Sequence, residues 1–397
     1  MAPPPAPRHL RSSRRSALRH ATALAAAATL IASGAATVVK LDRRGDRPAT
    51  APVVPIAADG AGRTCVDAAP LEQRAGLVLV VGLPGVTRAD DPLVDVLAEV
   101  GVGGVMLRDE NLTSLRQAKA LVAGLRDRLG EHLLVAVDDE GGRVTSMRAL
   151  GGTVRSARRL GQAGPKAAKA AGQALGELAA SIGADWVFAP VVDIDGGPAA
   201  GIIGDRSFGA DADTVIEAAG AFADGLHAAG VAVTIKHFPG HGWAHNDPHA
   251  GLTIDDRSLP NLLRADIKPF DALIASGADT VMVGHITFPN IWGQTPASLV
   301  PAVYELLRQR GFQGVAITDA LGMGAVYNRW GFGQAPAMAV AAGADAVLVT
   351  QGERVLELRN GLVNAVQVGE LDEARLDEAV GRVLTLRKQD PSSVLCT

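Results

Sequence analysis

Eight short runs of apolar, mostly β-branched residues recur along this chain, and they limit its fold more than any other feature. They are Leu77–Val81, Val102–Leu107, Leu133–Val137, Val187–Val192, Val231–Ile235, Thr280–Val283, Val315–Thr318 and Ala346–Val349. Each is short enough for a strand, and almost every residue in it is apolar. A strand of that kind is covered on both faces, as in a parallel sheet packed under helices. Longer stretches with helical spacing lie between most of them: Leu115–Leu129, Ala167–Ile182, Asp213–Ala229, Leu262–Ser276 and Val303–Arg310. Gly230, Gly277, Gly311 and Gly343 follow helical or apolar stretches, where a helix ends in a left-handed residue.

Strands that alternate with helices predict an α/β fold, and eight is the number that closes a (β/α)8 TIM-like barrel. The rival is a doubly wound open sheet, which advertises itself by a phosphate-binding glycine loop. Neither G-x-G-x-x-G after the first strand nor G-x-x-x-x-G-K-[ST] occurs. A barrel takes about 250 residues, so the 397 residues are read as one barrel with extensions.

The extensions lie mainly at the N-terminus. Residues 1–40 carry Arg8, Arg11, Arg14, Arg15, Arg19 and Lys40 and no acid. Ala21–Val39 is an apolar, alanine-rich run behind that basic segment, and Arg14-Arg15 stands just before it. This is the pattern of an export signal, with twin-arginine export as one route and an uncleaved signal anchor as the alternative. Residues 41–64 read as a flexible linker, 65–390 as the barrel and 391–397 as a tail. Taking those six positive charges from the formal −4 leaves the remaining body at −10, which argues against nucleic acid as a partner. Cys65 and Cys396 sit near the two ends of the exported body, in no metal-binding spacing. In an oxidising compartment they are candidates for a disulfide, because a closed barrel brings its ends together.

Polar residues gather where the predicted strands end. Asp138-Asp139-Glu140-Gly141-Gly142-Arg143 follows the third run, Asp193 the fourth, Lys236-His237 the fifth, His285 the sixth and Asp319 the seventh. In a barrel these ends share one rim, where active sites are built. The stretch after the fifth run, Lys236-His237-Phe238-Pro239-Gly240-His241-Gly242-Trp243-Ala244-His245-Asn246-Asp247-Pro248-His249, is the richest. Pro239, Gly240 and Gly242 make it an irregular loop. Asp247 and His249 suggest a carboxylate that orients an imidazole for proton transfer. His241 and His245 raise a metal site as an alternative, but their spacing lacks the helical H-E-x-x-H arrangement, and loop structure suits them better. Asp319 is either a helix cap or a carboxylate nucleophile. Trp243 and Trp292 suit either stacking on a sugar or packing of their loops.

These motifs together resemble glycoside hydrolase family 3, in its bacterial β-N-acetylglucosaminidase branch. Lys236–Gly242 is the strongest match, and Asp247-x-His249 marks the branch. Asp138–Val144, Phe188–Asp193, Arg206–Gly209 and Pro296–Leu299 follow in the same order. The resemblance implies a retaining exo-β-N-acetylglucosaminidase that needs no metal or cofactor and acts on N-acetylglucosamine-containing saccharides or muropeptides. Within the family, another β-glycosidase is the alternative activity; a decayed, sugar-binding protein is the non-enzymatic one. It implies Asp319 as nucleophile, His249 as acid/base oriented by Asp247, and Asp138, Arg206, Lys236 and His237 as sugar ligands. The chain departs from the pattern at Pro248, usually Ser; at Ala320 and Gly322, usually Asp and Ser; and at Ser146, often Arg.

Overall fold

A computed structural model describes residues 65–244, 251–387 and Leu395, except for the side chains of Cys65 and Asp67. The expected export signal and linker, the Cys65 and Cys396 side chains, and His245, Asp247, Pro248 and His249 lie outside the described residues. Among the described residues no helix is long and apolar enough to cross a membrane.

Eight parallel strands form the expected barrel. They are β1 Leu79–Gly82, β2 Gly104–Leu107, β3 Leu134–Val137, β4 Trp186–Val187, β5 Ala232–Phe238, β6 Thr280–Val283, β7 Val315–Thr318 and β8 Val347–Val349. Their order around the sheet is β7-β6-β5-β4-β3-β2-β1-β8. A parallel bridge between Ile317 and Ala346 joins the two end strands, and the Thr318 N–H donates to Ala346 O at 3.1 Å. All eight runs read from the sequence are therefore strands; the sixth and seventh keep their ends, the fifth runs on to Phe238, and the others shift or shorten. The fourth is trimmed most. Beyond Val187 comes Pro190, which has no N–H for a ladder, and Val191 makes only an isolated bridge to Lys236.

Strand alternation sorts the apolar residues into two cores. Val80, Met106, Leu134, Trp186, Met282, Val315, Ile317 and Leu348 meet inside the barrel. Their neighbours Val81, Val105, Val135, Val187, Val281, Ala316 and Val349 pack outward under the helices. The strands are buried on both faces, which accounts for their unbroken apolar sequence. Trp186 satisfies its indole N–H inside the barrel by donating to Thr234 Oγ1 at 2.6 Å.

Two helices match their expected spans closely, Leu115–Leu129 and Ala212–Ala228. Ser114 and Asp211 cap them by accepting from the Gln117 and Thr214 N–H groups. The helix expected over 262–276 is two helices instead, Leu259–Arg264 and Ile267–Ala275. The break falls at Ala265–Asp266, where the buried Asp266 carboxylate accepts from Arg257 at 2.7 Å. The first and last described helices pack together, and Arg74, on Leu71–Leu77, pairs with Glu373 and Asp377 on Glu373–Leu386. Leu395, from the expected tail, packs half-buried against the outer core.

Candidate active site

The alternation that fills the barrel also selects the residues at its mouth. Leu134 and Ala136 point inward, so Asp138, two further on, does too. The same parity carries Thr234 to Lys236, Val315 and Ile317 to Asp319, and Leu348 to Thr350. All four end residues line a cavity of about 590 Å3 at the C-terminal ends of the strands. His237 breaks the rule, since it follows Lys236 and yet lines the same cavity. The pairing of β5 with β6 slips there: Lys236 faces Met282 and Phe238 faces Val283, leaving His237 as the extra residue of a bulge. A bulge re-aims a side chain, and here it sends two consecutive polar residues to one side.

Buried charges hold one another in place. Lys236 Nζ donates to Asp138 Oδ1 at 3.0 Å and to Glu140 Oε1 at 2.6 Å. Arg206 reaches Glu140 with two parallel bonds, from Nε at 2.7 Å and Nη2 at 2.8 Å. The Glu140 carboxylate is thus shared by two cations. Burial pushes it up, but Arg206 and Lys236 outweigh that and hold it well below the usual carboxylate range. Burial alone would lower Lys236, and Asp138 and Glu140 reverse the direction, so it stays charged. Arg206 Nη2 lies 3.3 Å from His237 Nε2. A guanidinium only donates, so His237 Nε2 accepts and its Nδ1–H donates to Asp193 Oδ2 at 2.7 Å. Asp193 also accepts from the His241 N–H at 2.7 Å.

Asp319 ends β7. Its N–H donates to Val283 O at 2.9 Å, and its Oδ1 accepts from the Ala320 N–H at 2.7 Å. Its carboxylate therefore faces the cavity and does not cap a following helix; the next helix begins only at Gly324. Desolvation pushes Asp319 up. The Ala320 N–H and Lys236 pull the other way, and the carboxyl is held below the usual carboxylate range. The group is ionised throughout the neutral range.

The structure brings Asp138, Arg206, Lys236, His237 and Asp319 together around one cavity. Sequence reasoning left out Glu140 and Asp193, both buried, which orient the sugar-ligand candidates. Their signal was present: both are acids just past the end of a predicted strand. His241 is more than loop structure. It lines the cavity wall, buried, with neither ring nitrogen hydrogen-bonded among the described residues. Burial pushes it down to about 4, so its ring is neutral. No cluster suited to a metal ion occurs among the described residues. Arg143 binds the carbonyls of Gly201, Ile202 and Ile203 and so holds the 201–203 loop. Trp292 packs edge-to-face on Phe288, whereas Trp243 is exposed beneath Arg257 and lies outside this cavity.

The departures also have a structural form. Ser146 Oγ donates to the Asp138 carbonyl at 2.5 Å, and Arg148 turns to Gly142 O without lining the cavity. The space beside Gly322 is taken by Gln351, whose Oε1 would stand 2.2 Å from a Cβ there.

An ionised carboxylate facing fixed donors on a barrel rim is an arrangement that suits glycoside hydrolysis, among other barrel chemistries. The chain matches the model described as the glycosyl hydrolase family 3 N terminal domain over residues 71–386, and it belongs to that family. It is 36% identical to the β-hexosaminidase LpqI of Mycobacterium tuberculosis, over 93% of this chain and 97% of that protein. It is 38% identical to a β-hexosaminidase of Xylella fastidiosa, over 77% of this chain and 91% of that protein. Among solved structures it resembles a glycoside hydrolase family 3 β-N-acetylglucosaminidase from Paenibacillus sp. str. FPU-7, with a TM-score of 0.77 and 36% identity. That match covers 80% of this chain and 62% of the other.

Proposed function

We propose that this chain is a retaining exo-β-N-acetylglucosaminidase that removes terminal non-reducing β-linked N-acetylglucosamine, with peptidoglycan fragments as its natural substrates. The observation that carries the reading is Asp319, ionised on the cavity wall beside Lys236, Arg206 and His237. The names of the relatives support the sugar.

The mechanism follows from charge. Cleavage passes through an oxocarbenium-like state, which an adjacent anion stabilises. Asp319 attacks the anomeric carbon, the bond to the leaving oxygen breaks, and a glycosyl-aspartate forms. His249, in its imidazolium form and oriented by Asp247, gives that oxygen a proton. Water then attacks the ester, His249 takes the proton back, and the product keeps the β configuration. Asp138, Arg206, Lys236 and His237 hold the sugar's hydroxyls and N-acetyl group. Their orientation is prepaid, because Glu140 and Asp193 already fix the three cationic or ring groups. Residues 1–40 direct export, which brings the enzyme to the cell wall.

A panel of aryl β-glycosides tests the sugar. Release is expected to be fastest from the N-acetylglucosaminide, with the glucoside and xyloside at least about 100-fold slower in kcat/KM, the discrimination that about 3 kcal/mol of lost polar contact supplies. Equal rates on the glucoside, or no release from any member, would contradict the proposal.

A further inference from the structure

The peptide after Asp319 is held from two sides. His285 lies just past the end of β6, fully buried, with Nε2 3.0 Å from Ala320 O and Nδ1 2.7 Å from Ser298 Oγ. A carbonyl only accepts, so Nε2 carries the proton, and in the neutral ring Nδ1 receives the Ser298 hydroxyl proton. Ser298 is itself fixed: its N–H donates to Gly284 O at 3.1 Å, and its carbonyl accepts from the Tyr304 hydroxyl at 2.8 Å. On the other side of the same peptide, the Leu321 N–H donates to Leu348 O at 2.9 Å. The Ala320–Leu321 peptide is therefore clamped between β6 and β8. The preceding N–H, that of Ala320, is the one that binds Asp319 Oδ1 at 2.7 Å.

Besides His285, the Ala320 carbonyl accepts from the Met323 N–H at 3.0 Å, a bond within the turn itself. Ala320 and Gly322 carry no polar side-chain atom, and Gln351 occupies the space beside Gly322. We propose that His285 is the positioning residue of this turn: locked in its Nε2-protonated tautomer by Ser298, it holds the Ala320 carbonyl and so sets the direction of the Asp319 carboxylate. The proposal rests on the reading of Asp319 as nucleophile. His285 touches no substrate in it. Around Asp319 stand Lys236, His237, His241 and the His285 ring itself, so a change at His285 also alters the field on the carboxylate.

The test uses the full chain with His285→Leu, His285→Gln, Ser298→Ala and Asp319→Ala. For each, kcat and KM are measured on an aryl β-N-acetylglucosaminide, and the Kd of free N-acetylglucosamine by calorimetry. Misplacing a reacting group by about 1 Å costs on the order of 100-fold. His285→Leu is expected to lower kcat on that order while Kd moves less than about twofold. His285→Gln, whose amide still donates to Ala320 O, should recover most of the rate, and Ser298→Ala should fall between. Should His285→Leu fail to fold, Ser298→Ala and His285→Gln still decide. An unchanged kcat in Ser298→Ala, a Gln variant slower than Ser298→Ala, or a Kd that weakens in step with kcat would overturn the positioning role. Full activity in Asp319→Ala would overturn the nucleophile reading instead, and is told apart by that variant alone.

Discussion

Asp139 sits between Asp138, on the cavity wall, and Glu140, which holds Lys236 and Arg206. It is fully buried and accepts from the Gly141 N–H at 3.1 Å and the Met147 N–H at 2.9 Å, closing the turn that presents Asp138 and Glu140. Burial is the largest influence on it. The two N–H groups pull the other way, Asp138 and Glu140 add repulsion, and the carboxyl is pushed up to about 6 from 3.8. The sign follows directly. A raised carboxyl binds its proton more tightly in the folded state, so its contribution is complete below 3.8 and is lost as pH rises through about 6. Two units correspond to at most about 3 kcal/mol. Urea unfolding of the native chain and of Asp139→Asn, from pH 7 down to pH 4, should show the native chain gaining on the variant. A difference that stays flat, or shrinks as pH falls, would contradict this account. At this scale the sequence was only partly legible. Strand parity points Asp138, Lys236 and Asp319 inward, so their convergence follows from period-two counting. His237 does not, because its position depends on a bulge that no local pattern announces. Glu140 and Asp193 were visible as acids past strand ends, but their work is to hold other side chains, and that requires the folded distances.

The other end of the barrel is built for stability by a repeated element. Asp185, Asp279 and Asp345 each stand just before a strand and accept from the backbone of a neighbouring strand: the Val135, Val233 and Ala316 N–H groups. Each also pairs with basic side chains on or next to the outer helices. Asp345 has the most, with Arg308 at 2.5 Å, Arg375 at 2.6 Å and Arg382 at 3.1 Å. Replacing it by Asn leaves three guanidinium groups around a neutral amide. Removing one partner of a buried ion pair costs about 3–5 kcal/mol. The three arginines keep some solvent contact, so about 2–4 kcal/mol is expected for Asp345→Asn, with kcat of the folded protein unchanged. Equilibrium unfolding in urea measures it, and a loss under about 1 kcal/mol would mean that the cluster is only decorative. Elements of this kind were legible as elements and not as networks. The apolar runs placed the strands, and the helical spacings placed four of the five helical stretches named, to within a few residues; Pro92–Val100, Gly324–Ala342, Val355–Gln367 and Glu373–Leu386 were not among them. The breaks at Pro190 and at Ala265–Asp266 depend on particular hydrogen bonds, which periodicity does not encode.

Taken whole, the molecule separates its two tasks by face. The N-terminal ends of the strands carry acid–arginine clusters that tie sheet to helix, and the C-terminal ends carry the cavity. Between them lies the apolar barrel interior, with Trp186 at its centre. That division explains how Lys236 and Arg206 are tolerated in a buried site: with Glu140 and Asp138 they make two cations against two carboxylates, above an apolar floor. Under the proposed mechanism the site's chemistry depends on one anion, Asp319, aimed at the anomeric carbon. The most direct test is to quench the enzyme during turnover of a slow, activated 5-fluoro β-N-acetylglucosaminyl fluoride, which keeps the N-acetyl group, and map the modified peptide by mass spectrometry. The account predicts one glycosyl adduct, on Asp319, that disappears on reactivation. An adduct on another residue, or steady turnover of that substrate with inverted product and no adduct, would contradict it.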